Sequence, residues 1–283
     1  MPEDRLPDFV IIGAAKSATT WLAYHLQQHR QIFVPNVEVH YFSRHHAMDA
    51  AWYAAHFRGA RAGQVVGERS NTYLTCPEAP RRLKTRLPDA RLIVQLRNPI
   101  ERAYSDYCMH LRRGTVTPDV DLYLDVERSP LPHLLDTGLY YRNLSRFLEE
   151  LPAERMLVLL YDDVAANPTR VLHDVCAHIG VDADGARNAL VERVYDKRTP
   201  EIEPWLRALL RPLRRVGARH RHKAWFRAMR SCLGPLPSYP DISKATRDRL
   251  GDFYRDDVRA LSMLLGRDLL PWLSPATTPE PGA

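Results

Sequence analysis

The sequence predicts an α/β fold of three layers, in which a central parallel sheet is flanked by helices on both faces. Short apolar runs, rich in Val, Ile and Leu, alternate along the chain with longer segments of helical pattern. Strands that alternate with helices pair in parallel, because each right-handed crossover returns the chain to the same edge of the sheet. The predicted strands cover residues 9–12, 65–68, 92–96 and 156–161.

The helical segments lie between these strands. They are expected around Thr20, Ala51, Pro80, Ile100, Tyr140 and Pro168. Two consecutive helices are expected at residues 119–129 and 140–151, separated by the breakers Pro130, Pro132 and Gly138. A further short strand, residues 37–42, is expected after the first helix, where it would present Glu38 near the loop that follows the first strand.

The loop between the first strand and the first helix predicts a phosphate site of a P-loop-like kind. Gly13 and three alanines leave room for backbone amides to approach an anion, and the helix start adds a positive dipole. Lys16 supplies a full charge, and the hydroxyl groups of Ser17, Thr19 and Thr20 suit capping and anion binding. A plain surface lysine is the alternative. The spacing differs from a Walker A loop, in which a glycine directly precedes the lysine.

A second cation follows the third predicted strand. This strand ends at Arg97, Pro99 suits the first turn of a helix, and Ser105 lies two turns beyond Asn98. Open parallel sheets bind ligands at the carboxyl ends of their strands, and a planar guanidinium suits phosphate. An ion pair with a surface carboxylate is the alternative. The metal-binding aspartate that a P-loop hydrolase would need is missing from this strand end.

The two segments together resemble the PAPS-dependent sulfotransferases. The 5′-phosphosulfate loop of that family, K-[SG]-[GA]-T-[TR], is matched from Lys16 to Thr20, and its R-[DN]-P-x-x-R-x-x-S segment maps onto Arg97 and Ser105. The resemblance implies 3′-phosphoadenosine 5′-phosphosulfate (PAPS) as co-substrate, 3′-phosphoadenosine 5′-phosphate (PAP) as product, and no metal. The donor-binding residues that it implies are Lys16, Ser17, Ala18, Thr19, Thr20, Trp21, Arg97 and Ser105.

Three further segments resemble one branch of the family, the heparan sulfate glucosaminyl sulfotransferases and their soluble bacterial relatives. Residues 38–42 are similar to its E-[VI]-[HQ]-[FY]-F element, which contributes the catalytic glutamate, and residues 67–73 are similar to its E-K-[ST]-x-x-Y segment. Residues 249–272 are similar to its closing helix and G-R-D-[LF]-x-x-W tail. The likeness weakens between about residues 190 and 243.

The resemblance implies in-line sulfuryl transfer with four catalytic candidates. Lys16 would neutralise charge on the departing oxygen, and Glu38 would take the acceptor proton. His40 is the rival base, because the pKa of imidazole suits neutral pH. Arg69 stands where the branch has lysine, and its guanidinium stabilises charge but does not give up a proton. Glu38 is alternatively a structural ion-pair partner of Arg69 or Arg97.

Other positions of the family pattern are less well matched. Glu68 is expected to flank the acceptor beside Arg69, and Tyr73 is expected in the core. Tyr140 fits either a place near the ligands or simple packing. A K-G-R element, which closes over the 3′-phosphate in many relatives, is missing, and the candidates to replace it are residues 197–198 and 219–223.

Length and cysteine content favour one cytoplasmic domain. The 283 residues suffice for a single sulfotransferase domain, residues 1–283, with a substantial core. The four cysteines lie far apart, so neither a zinc site nor a disulfide framework is expected. Reduced thiols fit the cytoplasm. We also expect no secretion signal and no membrane-spanning helix, because the first apolar run is far too short.

A basic segment, residues 200–240, combines an apolar stripe with interspersed arginines. The simpler interpretation is a helical hairpin whose charged face is solvated. The functional alternatives are a cap over the acceptor and, through residues 205–230, a peripheral contact with an acidic carrier or a bilayer. The net charge of +6 favours anionic ligands without choosing among them. Residues 274–283 are expected to form a loose tail.

The function expected from the sequence is transfer of the sulfuryl group of PAPS to a hydroxyl or amine. The acceptor would be carbohydrate-like, another small molecule or a lipid, with no nucleic-acid partner. One alternative is a P-loop nucleotide-dependent, kinase-like enzyme, which would bind Mg-ATP. The other is a noncatalytic module that binds polyanions, and its binding would depend steeply on salt.

Overall fold

A computed structural model describes residues 5–183 and 239–273 of the chain. In these residues, five parallel strands form one sheet in the order β2-β3-β1-β4-β5. The strands are β1 (Phe9–Gly13), β2 (Ile32–Phe33), β3 (Val65–Arg69), β4 (Arg91–Leu96) and β5 (Met156–Leu160). The predicted parallel sheet is confirmed, each predicted strand agrees within one residue at either end, and β2 is an addition.

The helices flank the sheet as predicted. They are α1 (Thr19–Gln27), α2 (Ala50–Ala55), α3 (Ala79–Arg86), α4 (Pro99–Arg112), α5 (Val120–Tyr123), α6 (His133–Asp136), α7 (Tyr140–Glu150), α8 (Tyr161–Ala166), α9 (Pro168–Ile179) and α10 (Lys244–Leu265). A 3-10 turn, Leu270–Leu273, follows α10. Within the described ranges, no helix has both the length and the hydrophobicity needed to cross a membrane.

The central strand β1 separates two hydrophobic cores. Val10 and Ile12 face the larger core, to which α3, α4, α7 and α10 contribute. Phe9 and Ile11 face the smaller core, which α1 and α9 cover. Because successive side chains of a strand point to opposite faces, a strand buried on both sides must be apolar throughout. This burial explains the continuous apolar run and fixes the strand beneath the loop that follows it.

A close approach between β1 and β3 requires a glycine. Phe9 pairs with Gly67, and a Cβ atom at Gly67 would lie 2.1 Å from Cζ of the Phe9 ring. The ring therefore occupies the space that any side chain at this position would need. This contact between Phe9 and Gly67 helps to hold β1 and β3 together.

The expected strand at residues 37–42 is wrong. This segment is an irregular loop, although Val39 and Phe42 are buried in the larger core. Its backbone turns at His40, where φ is 55°, and side-chain oxygens rather than a neighbouring strand accept from its amides. Apolar content alone suggested a strand. Because hydroxyl oxygens satisfy the backbone amides of this segment, it does not need to pair with a neighbouring strand.

The expected helix at residues 119–129 is also wrong, since α5 covers only four residues of it. The carboxylate of Asp125 accepts hydrogen bonds from the amides of Glu127 and Arg128 at 3.0 and 2.9 Å. An aspartate that binds the backbone just ahead of it offers the chain an alternative to helix. The helix therefore stops before this residue.

The C-terminal part of the described chain closes the fold over α4 and α7. The hydroxyl of Tyr254 in α10 donates to the Leu135 carbonyl at 2.9 Å, and the indole of Trp272 donates to Asp162 at 2.8 Å. The basic segment 200–240 and the K-G-R candidates at 197–198 and 219–223 fall mostly or wholly in residues 184–238, outside the described residues. The predicted tail, 274–283, lies outside them as well.

Candidate active site

The loop between β1 and α1 has the backbone shape of an anion-binding nest. Lys16 and Ala18 both adopt left-handed conformations, with φ of 69° and 65°. Left-handed residues next to right-handed ones turn successive amides toward one side, where they bind anions. Within the described residues, the amides of Lys16, Ala18 and Thr20 donate to no protein acceptor. These N–H groups are therefore available to a ligand.

Pairing with β4 brings this loop to Arg97. The amide of Ala14 donates to the carbonyl of Gln95 at 2.9 Å, which extends the parallel pairing beyond β1. Lys16 and Arg97 each lie two residues beyond this pair, and Nη1 of Arg97 is 3.5 Å from the carbonyl oxygen of Lys16. The structure thus brings Lys16 and Arg97 together at the carboxyl edge of the sheet.

Several contacts fix the position of Arg97. Its guanidinium lies over the ring of Tyr161, 4.8 Å from the centroid, and its carbonyl accepts from the hydroxyl of Tyr140 at 2.8 Å. The side chain of the next residue, Asn98, caps α4 by accepting from the amides of Ile100 and Glu101. Tyr161 thus holds the guanidinium, while Tyr140 and the cap at Asn98 fix the backbone around Arg97.

The other predicted donor-binding residues have different surroundings. Ser17 and Ser105 are buried, with Ser17 beside the hydroxyl of Tyr140. Trp21 lies in the smaller core, where its ring packs 4.6 Å from that of His25. The hydroxyl of Thr19 donates to Oδ1 of Asn71 at 2.8 Å. This hydroxyl proton is already used inside the protein.

Arg69 lies across the loop, at the carboxyl end of β3. Its Nη1 donates to Oγ1 of Thr20 at 2.9 Å and to Oε1 of Glu38 at 3.0 Å. Because the Thr20 oxygen accepts from Arg69, its own hydroxyl proton remains free to donate. The guanidinium therefore connects the predicted donor loop with the predicted base.

Glu38 is ion-paired, as the structural alternative for this residue expected, and its two oxygens differ. Oε1 accepts from Arg69 and from Nδ2 of Asn71, each at 3.0 Å. Oε2 has only longer contacts, 3.3 Å to Nε2 of His40 and 3.4 Å to the amide of Asn71. The side chain keeps a quarter of its surface exposed. Oε2 is consequently the oxygen that can accept a further proton.

His40 contacts Glu38 directly, although no strand places them on one face. Its Nδ1 lies 2.8 Å from Oγ1 of Thr72, and its Nε2 faces the carboxylate. Burial lowers the pKa of His40, and the nearby Glu38 only partly opposes this effect. A carboxylate can only accept, so the neutral ring carries its proton on Nε2 and accepts at Nδ1 from Thr72. This tautomer makes His40 a donor to Glu38.

Lys16 has an unusually acidic ammonium group. Burial lowers the pKa of Lys16 to about 8, the charges of Arg112, Arg113 and Arg97 lower it further, and Asp106 opposes them. A cation that is desolvated among other cations favours an anionic ligand, which would restore the lost interactions. The electrostatics of the loop and its backbone shape therefore both favour binding of an anion.

Glu68 is buried beneath the surface of the site, whereas the sequence predicted it beside the acceptor. Its side chain is fully buried and accepts hydrogen bonds from Tyr53, Ser70 and Tyr73. Tyr73 is in the core, as expected. The side chain of Glu68 points to the inner face of β3, because it alternates with that of Arg69.

Comparisons with known proteins agree with this geometry. The Sulfotransferase family profile matches residues 76–185. The crystal structure of a sulfotransferase from Alicyclobacillus acidocaldarius superposes with a TM-score of 0.70 at 27% sequence identity, covering 95% of this chain and 100% of that one. Over most of its length, the chain is similar to sulfotransferases.

Curated members of the sulfotransferase family are similar over most of the chain. Heparan sulfate glucosamine 3-O-sulfotransferase 3B1 of Mus musculus is 27% identical over 273 residues, which are 93% of this chain. The chain spans 64% of the length of that relative. Membrane-associated sulfotransferase kil1 of Dictyostelium discoideum is 41% identical over 106 residues, 36% of this chain and 22% of its own length. The resemblance to the heparan sulfate branch is confirmed.

Sequence reasoning missed two residues of this candidate site. Asn71 joins the hydroxyl of Thr19 to the carboxylate of Glu38, and Tyr161 supports the guanidinium of Arg97. Asn71 occupies an unspecified position of the E-K-[ST]-x-x-Y pattern. A polar side chain two residues after Arg69, just beyond the end of a strand, was the available signal for it.

Proposed function

We propose that the chain transfers the sulfuryl group of PAPS to a carbohydrate-like acceptor. The observation that carries this proposal is the placement of two cations at one sheet edge. Arg97 lies within 3.5 Å of the Lys16 carbonyl, beside a loop with unpaired amides. A ligand with phosphate groups on the 3′ and 5′ oxygens of one ribose matches two separate cationic positions. Similarity to sulfotransferases supports the same donor.

The residues present fit the 5′ end of this donor. The amides of Lys16, Ala18 and Thr20 and the free hydroxyl proton of Thr20 would bind the 5′-phosphate. The alanine at position 18 leaves the approach to these amides open. When bound, the donor supplies the sulfuryl group, and Arg97 with Ser105 would bind its 3′-phosphate.

Lys16 would stabilise the charge that develops on the departing oxygen. Its ammonium is buried, which strengthens any interaction with an anion, and it is in place before the reaction begins. The two negative charges of the 5′-phosphosulfate group would raise the pKa of a neighbouring lysine. Lys16 would therefore be fully charged in the donor complex at neutral pH.

Glu38 would accept the proton of the acceptor hydroxyl through Oε2. Arg69 and Asn71 hold the other oxygen, so the carboxylate is oriented without being fully occupied. His40 donates to Glu38 and has its other nitrogen engaged with Thr72, which leaves it no free lone pair. These contacts support Glu38 rather than His40 as the base, with His40 orienting the carboxylate.

A hydroxyl of a glucosamine-containing glycan is the proposed acceptor. Several relatives are named as heparan sulfate glucosamine 3-O-sulfotransferases, and they align with 93% of this chain. We also propose that the chain works where thiols stay reduced. Within the described part of the chain, Cys76 and Cys176 form no disulfide, which supports that proposal.

The test of the donor is a thermal-shift comparison of PAP with Mg-ATP. A ligand that binds only the folded state raises the Tm, and we expect PAP to do so and Mg-ATP to have little effect. Lys16→Ala and Arg97→Ala should each reduce the shift with PAP. A larger shift with Mg-ATP would contradict the proposal and favour the kinase-like alternative.

The test of the reaction is incubation with radiolabelled PAPS and glucosamine-containing glycans, analysed for label in the glycan. We expect labelling that Lys16→Ala abolishes. Steeply salt-dependent binding to a polyanion without any turnover would contradict the proposal and favour the noncatalytic alternative.

A further inference from the structure

A buried carboxylate lies directly beneath the proposed base. Glu68 is fully buried, yet it accepts three hydroxyl hydrogen bonds. The hydroxyl of Tyr53 donates to Oε2 at 2.5 Å. The hydroxyls of Ser70, at 2.7 Å, and of Tyr73 both donate to Oε1. No cation within the described part of the chain forms an ion pair with Glu68. The hydrogen bonds from these hydroxyls are therefore what offsets the free-energy cost of burying the carboxylate.

Two of the three hydroxyls also hold the loop that carries Glu38. The amide of His40 donates to Oγ of Ser70 at 2.8 Å, and the amide of Phe42 donates to the hydroxyl of Tyr73 at 3.1 Å. Each hydroxyl thus accepts from the loop and donates to Oε1 of Glu68. Two relays of hydrogen bonds run from the loop backbone to one buried oxygen.

We propose that Glu68 is a positioning residue for the transfer reaction, because it fixes the Glu38–His40 loop through Ser70 and Tyr73. This inference rests on the proposed function. The loop lacks strand partners, and His40 has a left-handed backbone, so its shape depends on these side chains. Glu68 contacts neither the donor loop nor the carboxylate of Glu38. It acts on the Glu38–His40 loop only through Ser70 and Tyr73.

The direction of each hydrogen bond follows from the chemistry of the carboxylate. An ionised carboxylate only accepts, which obliges Ser70 and Tyr73 to donate to it and leaves their oxygens free to accept from the loop. Burial raises the pKa of Glu68, while the hydrogen bonds from Tyr53, Tyr73 and Ser70 oppose that shift. Burial also raises the pKa of both tyrosines, so they remain donors across the working range of pH.

Tyr53 provides a matched control. Its hydroxyl binds the other oxygen of Glu68 and bonds to no loop amide, and its ring packs on Tyr41 and Phe42. Tyr53→Phe therefore removes one donor to Glu68 and keeps the packing. Tyr73→Phe and Ser70→Ala each remove one donor to Glu68 and also one acceptor of a loop amide.

The experiment compares these three variants in kinetics and in hydrogen exchange. We expect Tyr73→Phe and Ser70→Ala to lower kcat about 10- to 100-fold, because a misplaced base costs this much, while the KM for PAPS stays unchanged. Exchange in peptides covering residues 38–43 should become faster in both variants. Tyr53→Phe should keep kcat within about threefold of the wild-type value, because the base stays in place in this variant. Exchange in residues 38–43 should also stay as slow as in the wild type.

Two results would overturn the positioning role. One is a loss of kcat in Tyr53→Phe equal to that in Tyr73→Phe, which would indicate a general effect of stability. The other is wild-type kcat and exchange in both loop variants. If wild-type protein shows no sulfuryl transfer at all, the proposed function fails instead, and the exchange measurement still tests whether the hydroxyls of Ser70 and Tyr73 hold the loop.

Discussion

Lys16 shows how a single residue prepares this site for an anion. Its ammonium is buried in a loop whose neighbours are also cationic, so the free protein keeps it in an unfavourable environment. Binding of a phosphate removes much of that disadvantage. Donor binding and the protonation of Lys16 are therefore coupled.

This coupling predicts that the affinity for PAP falls as the pH rises through 8. The pKa of Lys16 is about 8 in the free protein and higher in the complex, so binding above this pH requires uptake of a proton. The phosphate groups of PAP are fully ionised there, since their second pKa is about 6. We expect Kd to rise about tenfold per pH unit above pH 8, measured by titration calorimetry.

Lys16→Arg is the control for this pH effect, because arginine stays protonated throughout the range. Its affinity for PAP should not vary between pH 7.5 and about 9.5 for this reason. A wild-type affinity that is equally constant would show that Lys16 does not titrate at the donor site.

The role of Glu38 predicts a separation between turnover and donor binding. Glu38→Gln should lower kcat by about 100-fold or more, because it removes a general base, and should leave the KM for PAPS within about twofold. His40→Gln should have a smaller effect, since its amide can still donate to the carboxylate. Steady-state kinetics with both variants would measure this. Equal kcat in Glu38→Gln and wild type would contradict the assignment.

At the level of residues, the sequence indicated which side chains are charged but not how they pair. Lys16, Arg97 and Glu38 were all identified from motifs. The ion pair of Glu38 with Arg69 and the burial of Glu68 depend on which face of β3 each residue occupies. Residues 68 and 69 are neighbours in sequence, so a shift of one position exchanges their surroundings.

Among the secondary-structure elements, α4 sets the position of Arg97 most directly. Asn98 caps this helix, and its Nδ2 donates to the carbonyl of Trp272 at 2.8 Å. One side chain thus joins the helix start to the C-terminal 3-10 turn. The residue just before the cap is Arg97, so the cap and the phosphate-binding cation are coupled.

Substitutions of Asn98 should separate the two contacts. Asn98→Ala loses the cap and should lower the free energy of unfolding by about 1–2 kcal/mol, whereas Asn98→Asp keeps the capping oxygen and loses only the donor to Trp272. Urea denaturation of both variants and of wild type measures this order. If Asn98→Asp were the less stable variant, the bond to Trp272 would outweigh the cap.

The elements that the sequence predicted best are those with long, uniform apolar patterns. The strands β1, β4 and β5 are buried and apolar, and their bounds agree within one residue. The predictions failed where side chains bind the backbone, at residues 37–42 and after Tyr123. Hydrogen bonds that its amides donate to the hydroxyls of Ser70 and Tyr73, about 30 residues away, hold the first of these segments, so local sequence could not reveal its shape.

For the whole molecule, the sheet is the frame that aligns β1, β3 and β4 and therefore the three cations that follow them. Lys16, Arg69 and Arg97 each lie at or just beyond the carboxyl end of one of these strands. Their convergence follows from parallel pairing, which the alternation of strands and helices predicted. The strand order could not be read from the sequence, because it depends on which crossovers pass over which face.

Gly67→Ala should weaken this frame. The added methyl group would overlap the ring of Phe9, and overpacking of this kind costs about 1–3 kcal/mol of global stability. Phe9→Leu should itself be destabilising, but the double variant should lose less than the sum of the two single losses. Denaturation midpoints of the four proteins measure this coupling, and strict additivity would contradict a direct clash.

The left-handed alanine at position 18 has a further consequence for how fast the donor can be captured. An alanine in this conformation costs about 1–2 kcal/mol, which the surrounding fold offsets before any ligand arrives. We therefore expect the loop to hold its anion-binding shape before the donor arrives, so that productive encounters need no slow rearrangement. Ala18→Gly should relax the loop, making the empty protein more stable and association with PAP slower in stopped-flow measurements.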